Sequence, residues 1–372
     1  MFTRLKIKNP NLEIRNKSQI RMFKLSDQKI PASPSILIIL MGSLGDVARG
    51  LCLVCHIKTN LPQSRVTWLV EPKWADLVRL HAQIDKVIVF KRAWRFSALW
   101  ELYNDLNQEH FDITLDLQRI LKSGFFSLLS RAKRRIGFHW RNAKELNWLF
   151  NNEHIDYHSD ELPKIRHYLK FTEHLGLPEP DKVEFGFSSM KTKETSAAVT
   201  AALEHPFIAV VLGASWESKG WFLERHFDLV RHILLNQKLQ VVLVGDGSQA
   251  ATAKNLCDRV NEPGLINLVG KTTLMELIAV LKAAVAGVGP DSGPGHLSAA
   301  VKTPFVTLFG PTSPRRTAPF GYEDLVVTSK LSCAPCYKKR CPDRNKQCMY
   351  SIHLDAVVEK VSIALREYVP LR

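Results

Sequence analysis

Two similar α/β halves, each built on a parallel sheet, are what this sequence predicts, and three observations predict them. Apolar runs of strand length alternate with stretches of helical periodicity, first from residue 35 to about 180 and again from about 205 onward. Several of these runs end in a Gly-containing turn that leads into a helix-like segment, as in open sheets whose ligands sit at the carboxyl ends of the strands. The 372 residues are enough for two domains with full cores.

The elements follow in order. Ile36–Leu40 reads as a buried strand, followed by the turn Gly42-Ser43-Leu44-Gly45-Asp46 and a helix-like stretch through Thr59. Arg65–Val70, Lys86–Phe90 and Phe111–Leu115 read as the next strands. The alternation stops near Pro178-Glu179-Pro180 and resumes with strand-like runs at Phe207–Leu212, Gln240–Val244, Val285–Val288 and Pro304–Phe309. Asp228–Leu235 and Leu274–Ala284 have helical spacing, and His353–Tyr368 reads as a final amphipathic helix with Leu354, Val357, Val358, Val361 and Leu365 on one side. The expected division is a flexible basic leader at 1–34, a first unit at 35–190 and a second at 205–352. The helix at 353–370 is expected to pack back toward the first unit.

Charge narrows the partners. Lys and Arg number 51 against 36 Asp and Glu, a net +15 that attracts nucleic acid, an anionic membrane surface or phosphorylated substrates. From residue 119 to 144 there are eight basic residues and no acidic one: Arg119, Lys122, Arg131, Lys133, Arg134, Arg135, Arg141 and Lys144. Lys91, Arg92 and Arg95 interleave with Trp94, Phe96 and Trp100. Such one-signed segments in the first half predict an anionic ligand there. No apolar run approaches the ~20 residues of a membrane span, and the basic leader lacks the apolar core of a secretory signal, so a cytoplasmic location is expected.

Of the seven cysteines, Cys52, Cys55 and Cys257 sit in apolar or helical contexts and read as small core residues. Cys333, Cys336, Cys341 and Cys348 form a C-x2-C-x4-C-x6-C cluster among basic residues. Four thiols in that span can reach one zinc ion, though the spacing is tighter than a two-knuckle site, and reduced thiols are the alternative.

The candidate chemistry lies on strand-to-helix turns. The segment 287–300, GVGPDSGPGHLSAA, reads as the start of a helix at which amides of Ser292, Gly293 and Gly295 would meet an anion, with Asp291 and His296 alongside; the alternative is a Gly/Pro loop with an Asp or Ser cap. Gly213-Ala214-Ser215-Trp216-Glu217-Ser218-Lys219-Gly220-Trp221 offers a hydroxyl and an ammonium to a diphosphate; the alternative is an exposed loop lysine. Asp46 faces the same cleft, either as a catalytic carboxylate or as a helix cap. Gly245-Asp246-Gly247-Ser248-Gln249 is a third turn of this kind. Neither G-x-G-x-x-G nor G-x-x-x-x-G-K-[ST] occurs at these turns, which disfavours a nicotinamide or flavin site and a P-loop NTPase.

Taken together, MGSLGDV at 41–47, DLQRILKS at 116–123, the Ser215/Lys219/Trp221 loop, VGPDSGPGHLSAA at 288–300 and LFGPTSP at 308–314 resemble the heptosyltransferases of glycosyltransferase family nine. WLVEP at 68–72 and the Trp/Arg segment near Arg95 look closer to members that add the first heptose. The resemblance runs from about Ser35 to the C-terminal helix. It implies a GT-B architecture, two Rossmann-like domains facing each other across a cleft. It also implies inverting transfer of L-glycero-D-manno-heptose from its ADP derivative to a Kdo or heptose hydroxyl of the lipopolysaccharide inner core. Carried over by position, Asp46 is the general base, and Ser215, Lys219, Asp291, Ser292, Gly293 and His296 hold the donor. Lys91, Arg92, Arg95, Arg119 and Lys122 meet the anionic, lipid A-type acceptor. The resemblance implies no cofactor for catalysis, work at the cytoplasmic face of the inner membrane, and no nucleic acid.

Two positions depart from the family pattern: Arg119 stands where glycine is usual, and Arg49 where histidine is frequent. Both lie on the expected acceptor side. The other readings are a relative using a different activated sugar, or a basic nucleic-acid-binding protein with a zinc cluster.

Overall fold

The structure, a computed structural model, describes residues 30–91, 96–187, 195–343 and 345–369. Residues 1–29 of the basic leader, and Arg92 and Arg95, lie outside the described residues.

The first unit is a six-stranded sheet of β1 (Ser35–Ile39), β2 (Arg65–Val70), β3 (Lys86–Val89), β4 (Ile113–Asp116), β5 (Arg134–Gly137) and β6 (Glu153–His154). The second contains β7 (Phe207–Val211), β8 (Gln240–Val244), β9 (Leu265–Asn267), β10 (Ala286–Pro290), β11 (Phe305–Phe309) and β12 (Val326–Thr328). Their strand orders are β3-β2-β1-β4-β5-β6 and β12-β11-β10-β7-β8-β9, all parallel. Counted from its own first strand, each sheet has the doubly wound order 3-2-1-4-5-6. Central strands such as β4, β7, β10 and β11 are buried along their whole length, as parallel strands covered on both faces must be.

The strands that local pattern does not predict lie at the sheet edges or, for β5, one place in from an edge. β5 begins with two arginines, β6 has two residues, and β9 and β12 have three each. Their pairing depends on neighbours: both Nε and Nη2 of Arg134 donate to the Glu153 carboxylate at 2.7 Å, tying β5 to β6.

In a sheet of this order the chain reverses direction between its first and fourth strands, and ligands bind at that point. Helix α1 (Leu44–Asn60) leaves β1 there. Helix α2 (Leu121–Leu129) follows β4, and α3 (Lys164–His174) follows β6. In the second unit, α4 (Leu223–His232) follows β7, and α5 (Gly293–Ala300) leaves β10 at the reversal point. The first turns of α1 and α5 abut. A Cβ on Gly45 would meet the His296 ring at 2.7 Å, and one on Gly293 would meet Leu44 at the same distance. Both glycines are needed for that approach. Behind them, Val47, Leu51 and Val54 of α1 share one apolar core with Leu297 and Ala300 of α5, so the units are joined by packed side chains.

The last helix, α6 (Leu354–Ile363), packs on its own unit and not on the first, contrary to expectation. Its apolar stripe, Val357 and Val361, enters the core formed by Leu229 and Val230 of α4, Val306 and Leu308 of β11, and Val327 of β12. β12 is the edge strand of the second sheet and β11 its neighbour, and the stripe packs against both. The Tyr368 hydroxyl then donates to Asp324 at 2.8 Å.

Candidate active site

Asp46 occupies the first turn of α1, and its two carboxylate oxygens have different partners. Oδ2 accepts from the backbone N–H of Ser43 at 3.3 Å and from its hydroxyl at 3.0 Å, closing the capping box that starts the helix. Oδ1 accepts from Arg49 Nη2 at 2.7 Å, Lys164 Nζ at 2.9 Å and the Tyr168 hydroxyl at 3.1 Å. The helix-cap reading of Asp46 therefore holds through Oδ2, while Oδ1 is turned to Arg49, Lys164 and Tyr168. Burial alone would raise its pKa, but the Lys164 and Arg49 cations hold it well below the usual carboxylate range. Burial and the Asp46 charge push the Tyr168 hydroxyl well above its ordinary pKa, so it stays a donor.

Across the interface, Asp291 is buried at the end of β10. Its Oδ2 accepts from Lys219 Nζ at 2.8 Å, Thr312 at 2.7 Å and Thr317 at 3.2 Å; Lys219 also donates to the Asp291 carbonyl at 3.0 Å. Burial opposes ionisation of Asp291, and the Lys219 ammonium, with the hydrogen bonds from Lys219 and Thr312, overcomes it, leaving the pKa below the ordinary value. His296 Nε2 lies 3.9 Å from Asp291 Oδ1 and is hydrogen-bonded to Arg49 Nη1. Burial, then the Arg49 guanidinium, drives the histidine pKa well down, so the ring is neutral. The contacts form one continuous line: Lys164 and Tyr168, Asp46, Arg49, His296, Asp291, Lys219. Its charges alternate, and it crosses from one unit to the other.

The polypeptide chain holds this line through the turns beside it. Gln118, after β4, accepts from the backbone N–H groups of Met41 and Gly42 at 2.8 and 3.3 Å and returns a hydrogen bond to the Gly42 carbonyl at 2.9 Å. It fixes the turn from which Asp46 projects. Lys219 is seated over the Trp216 ring at 4.7 Å. Neighbouring Ser218 anchors the loop by donating to the Lys338 carbonyl at 2.7 Å, and Trp221 is buried beneath.

Residues 99–347 match the family model of Glycosyltransferase family 9 (heptosyltransferase), which is more than half of the chain. The chain belongs to this family. It is similar to the lipopolysaccharide core heptosyltransferase OpsX of Haemophilus influenzae, 27% identical over 80% of this chain and 85% of that one. It is also similar to lipopolysaccharide heptosyltransferase 1 of Escherichia coli, 27% identical over 88% of this chain and 99% of that one. Among solved structures, a family 9 glycosyltransferase of Veillonella parvula superposes with a TM-score of 0.75 at 18% identity, covering 90% of this chain and 98% of the other. The architecture is GT-B, and the nucleic-acid-binding reading falls with the family assignment.

In this family 9 glycosyltransferase, the expected site residues are not all brought together. Asp46, Lys219, Asp291 and His296 converge. Ser292 caps α5 by position, with its buried hydroxyl unpaired, and Gly293 lies in the helical turn packed on Leu44. Ser215 is exposed, on the loop ahead of Lys219.

On the other side, Lys122 Nζ approaches Glu71 Oε1 at 3.3 Å and lies over the Phe90 ring at 5.3 Å, beside the Gly42 turn. Arg119 is engaged by the Asn142 carbonyl and Asp160, with its guanidinium over Phe138. Lys91 is exposed and pairs with Glu101 at 3.3 Å.

Lys164, Tyr168, Thr312, Thr317 and Gln118 were not foreseen. Lys164 and Tyr168 lie one helical turn apart on α3, with no local motif to mark them; Thr312 belongs to a segment legible only as a family likeness, and Thr317 lies just beyond it.

The cysteine cluster does not form the metal site its spacing permits: among the described residues no three His, Cys, Asp or Glu side chains gather as ligands. Cys348 is buried against the second core while Cys333 is exposed on the preceding loop.

Proposed function

We propose that this chain is an inverting heptosyltransferase that moves L-glycero-D-manno-heptose from ADP-heptose to a Kdo or heptose hydroxyl of a lipopolysaccharide inner core. The observation that carries the reading is the facing of a partly buried carboxylate, Asp46, and a largely buried ammonium–carboxylate pair, Lys219 and Asp291, across a joint between two doubly wound units. Support for the sugar comes from relatives that carry heptosyltransferase names and from an Escherichia coli heptosyltransferase structure solved with ADP, 22% identical with a TM-score of 0.72.

In this reading the acceptor oxygen attacks the anomeric carbon from the face opposite the leaving ADP. The bond to that oxygen forms as the bond to the β-phosphate oxygen breaks, and ADP leaves with the electron pair. Asp46 takes the acceptor proton. A carboxylate with a depressed pKa is ionised at every physiological pH, and it accepts the proton as the oxygen becomes acidic in the transition state. Lys219, the amides at the start of α5 and His296 receive the charge on ADP, the main electrostatic task of the step. Lys122 and Arg119 face the acceptor side.

The acceptor is a lipid-anchored anion, and the enzyme works at the cytoplasmic membrane face. Exposed Leu121, Phe125 and Leu128 on α2, near exposed Arg131, Lys133 and Lys144, support that location. Among the described residues no helix is long and apolar enough to cross a membrane.

The test is a panel of nucleotide-sugars scored by thermal shift, followed by transfer to lipid A cores of defined length. ADP-heptose is expected to stabilise the protein and to be transferred. Stabilisation by a uridine or guanosine diphosphate sugar alone would overturn the donor assignment.

A further inference from the structure

A pocket opens between the two units beside Asp46, and its cations come from both. Arg49 and Lys164 belong to the first unit and Arg315 and Arg316 to the second, with Glu323 as the acidic residue of the lining. Arg49 and Lys164 already share the Asp46 carboxylate at 2.7 and 2.9 Å. Arg315 and Arg316 have no carboxylate partner among the described residues. The Arg316 guanidinium lies over the Tyr337 ring at 5.7 Å, and its Nε is buried with no acceptor. Arg49 Nε is buried and unpaired as well. Arg315 is exposed at the mouth of the pocket, whereas Arg316 is partly buried; a partly buried guanidinium without an anion is unfavourable unless a ligand supplies the charge, and the planar fork suits carboxylate or phosphate.

We propose that this pocket takes an anionic group of the sugar acceptor, a carboxylate or a phosphate, and that Arg315 and Arg316 thereby extend acceptor recognition onto the nucleotide-binding unit. The inference rests on the glycosyl-transfer reading, which puts the acceptor hydroxyl at Asp46. Position along the line of contacts favours acceptor over donor. Lys164 joins the pocket directly to Asp46, whereas Lys219 and Asp291 lie beyond His296, on the far side of Arg49. An anion seated here bridges the start of α3 to the segment following β11.

The test uses the full chain with Arg315→Ala and Arg316→Ala, singly and together, and Arg316→Lys as the charge-keeping control. Initial rates with ADP-heptose and a Kdo-bearing lipid A, ADP binding by calorimetry, and the thermal shift given by inorganic phosphate are the readouts. The double variant is expected to raise the acceptor KM at least about tenfold, the scale of one lost charge-assisted hydrogen bond, with ADP affinity unchanged. Arg316→Lys should recover part of that loss. Phosphate should stabilise the parent and not the double variant. Acceptors lacking the lipid A phosphates, or with the Kdo carboxyl reduced, distinguish the two sources: the one that erases the difference between parent and Arg316→Ala names the group. An unchanged acceptor KM overturns the proposal, and so does a parallel fall in ADP affinity, which assigns the pocket to the donor. If the parent neither binds ADP nor transfers heptose, the glycosyl-transfer reading fails, while the phosphate shift still decides whether the pocket binds an anion.

Discussion

Arg49 Nη1, carried by the first unit, donates to Nε2 of His296 in the second. A guanidinium has no acceptor and keeps its protons, so Nε2 accepts and the ring proton resides on Nδ1. That nitrogen is buried without a protein partner in the first turn of α5, where the amides of the helix start also point. His296 thus joins the units through one nitrogen and keeps a donor for an anion on the other. His296→Gln should weaken ADP binding by about tenfold, the scale of one hydrogen bond to a charged group. Calorimetry checks this, and undiminished affinity would show that Nδ1 faces no phosphate.

Asp46 is expected to act on the chemical step alone. Asp46→Asn keeps the shape of the side chain but removes the base, so kcat should fall by about 10²–10⁴ while ADP binds as before. Near-parental kcat would rule out the base role.

Lys164 holds the Asp46 pKa down against burial, so Lys164→Met should let it rise. Activity needs the carboxylate, and the acid limb of the kcat/KM profile should therefore move to higher pH. A limb that stays in place would remove Lys164 from control of the base.

Lys219 and Asp291 form a pair with side chains only 13% and 5% exposed, so truncating one partner strands the other. Lys219→Ala should cost about 3 kcal/mol of stability and weaken ADP binding. Adding Asp291→Asn removes the stranded charge, so the double variant should regain much of the stability and none of the affinity. Chemical denaturation and calorimetry separate the two effects. Recovery of ADP affinity in the double variant would make Lys219 a structural partner only.

Legibility in the sequence followed locality. Asp46, Lys219 and Asp291 stand on Gly-containing strand-to-helix turns, where the pattern itself announces a ligand end, so the sequence alone singles them out. Lys164 and Tyr168 reach Asp46 from α3, 118 and 122 residues away, and nothing in an amphipathic helix singles out the lysine that points inward. Arg119 illustrates the reverse case. Its φ of 70° is the left-handed conformation that favours glycine, which gives the family's usual residue a backbone reason and makes the arginine a local strain. β5 and β6 escape a local reading because they are short and charged, tied to each other by the Arg134–Glu153 pair.

Leu121, Phe125 and Leu128 lie four and three residues apart on α2 and are 46%, 37% and 44% exposed, so one stripe of the helix faces solvent. Leu146 and Leu149, 60% and 57% exposed, belong to the turn packed beside it. With Arg131, Lys133 and Lys144 nearby, the parent should co-sediment with phosphatidylglycerol vesicles and much less with phosphatidylcholine. Leu121→Ser/Phe125→Ser/Leu128→Ser should abolish most of this binding, and each basic residue replaced by Glu should weaken it about fivefold or more. Vesicle binding that survives the triple replacement places the membrane contact elsewhere.

Acid sensitivity should come from histidines that are buried neutral. His226 is enclosed in the second unit beside Trp221 with both ring nitrogens unpaired, and burial lowers its pKa from 6.5 to about 4. Burial likewise holds His81 at about 4 and His167 at about 3. Above pH 6.5 these rings are neutral in both the folded and unfolded chain and contribute no pH dependence. As pH falls below 6.5, the unfolded chain takes up protons that the folded one refuses, so stability declines until the folded pKa values are reached. Each histidine adds up to about 1.4 kcal/mol per pH unit to that slope. His226→Phe removes one of the three and also two unsatisfied buried polar atoms. It should gain about 2 kcal/mol relative to the parent on going from pH 7 to pH 5, read from urea denaturation at both pH values. A parent-like slope would mean that the ring finds a proton acceptor in the folded protein.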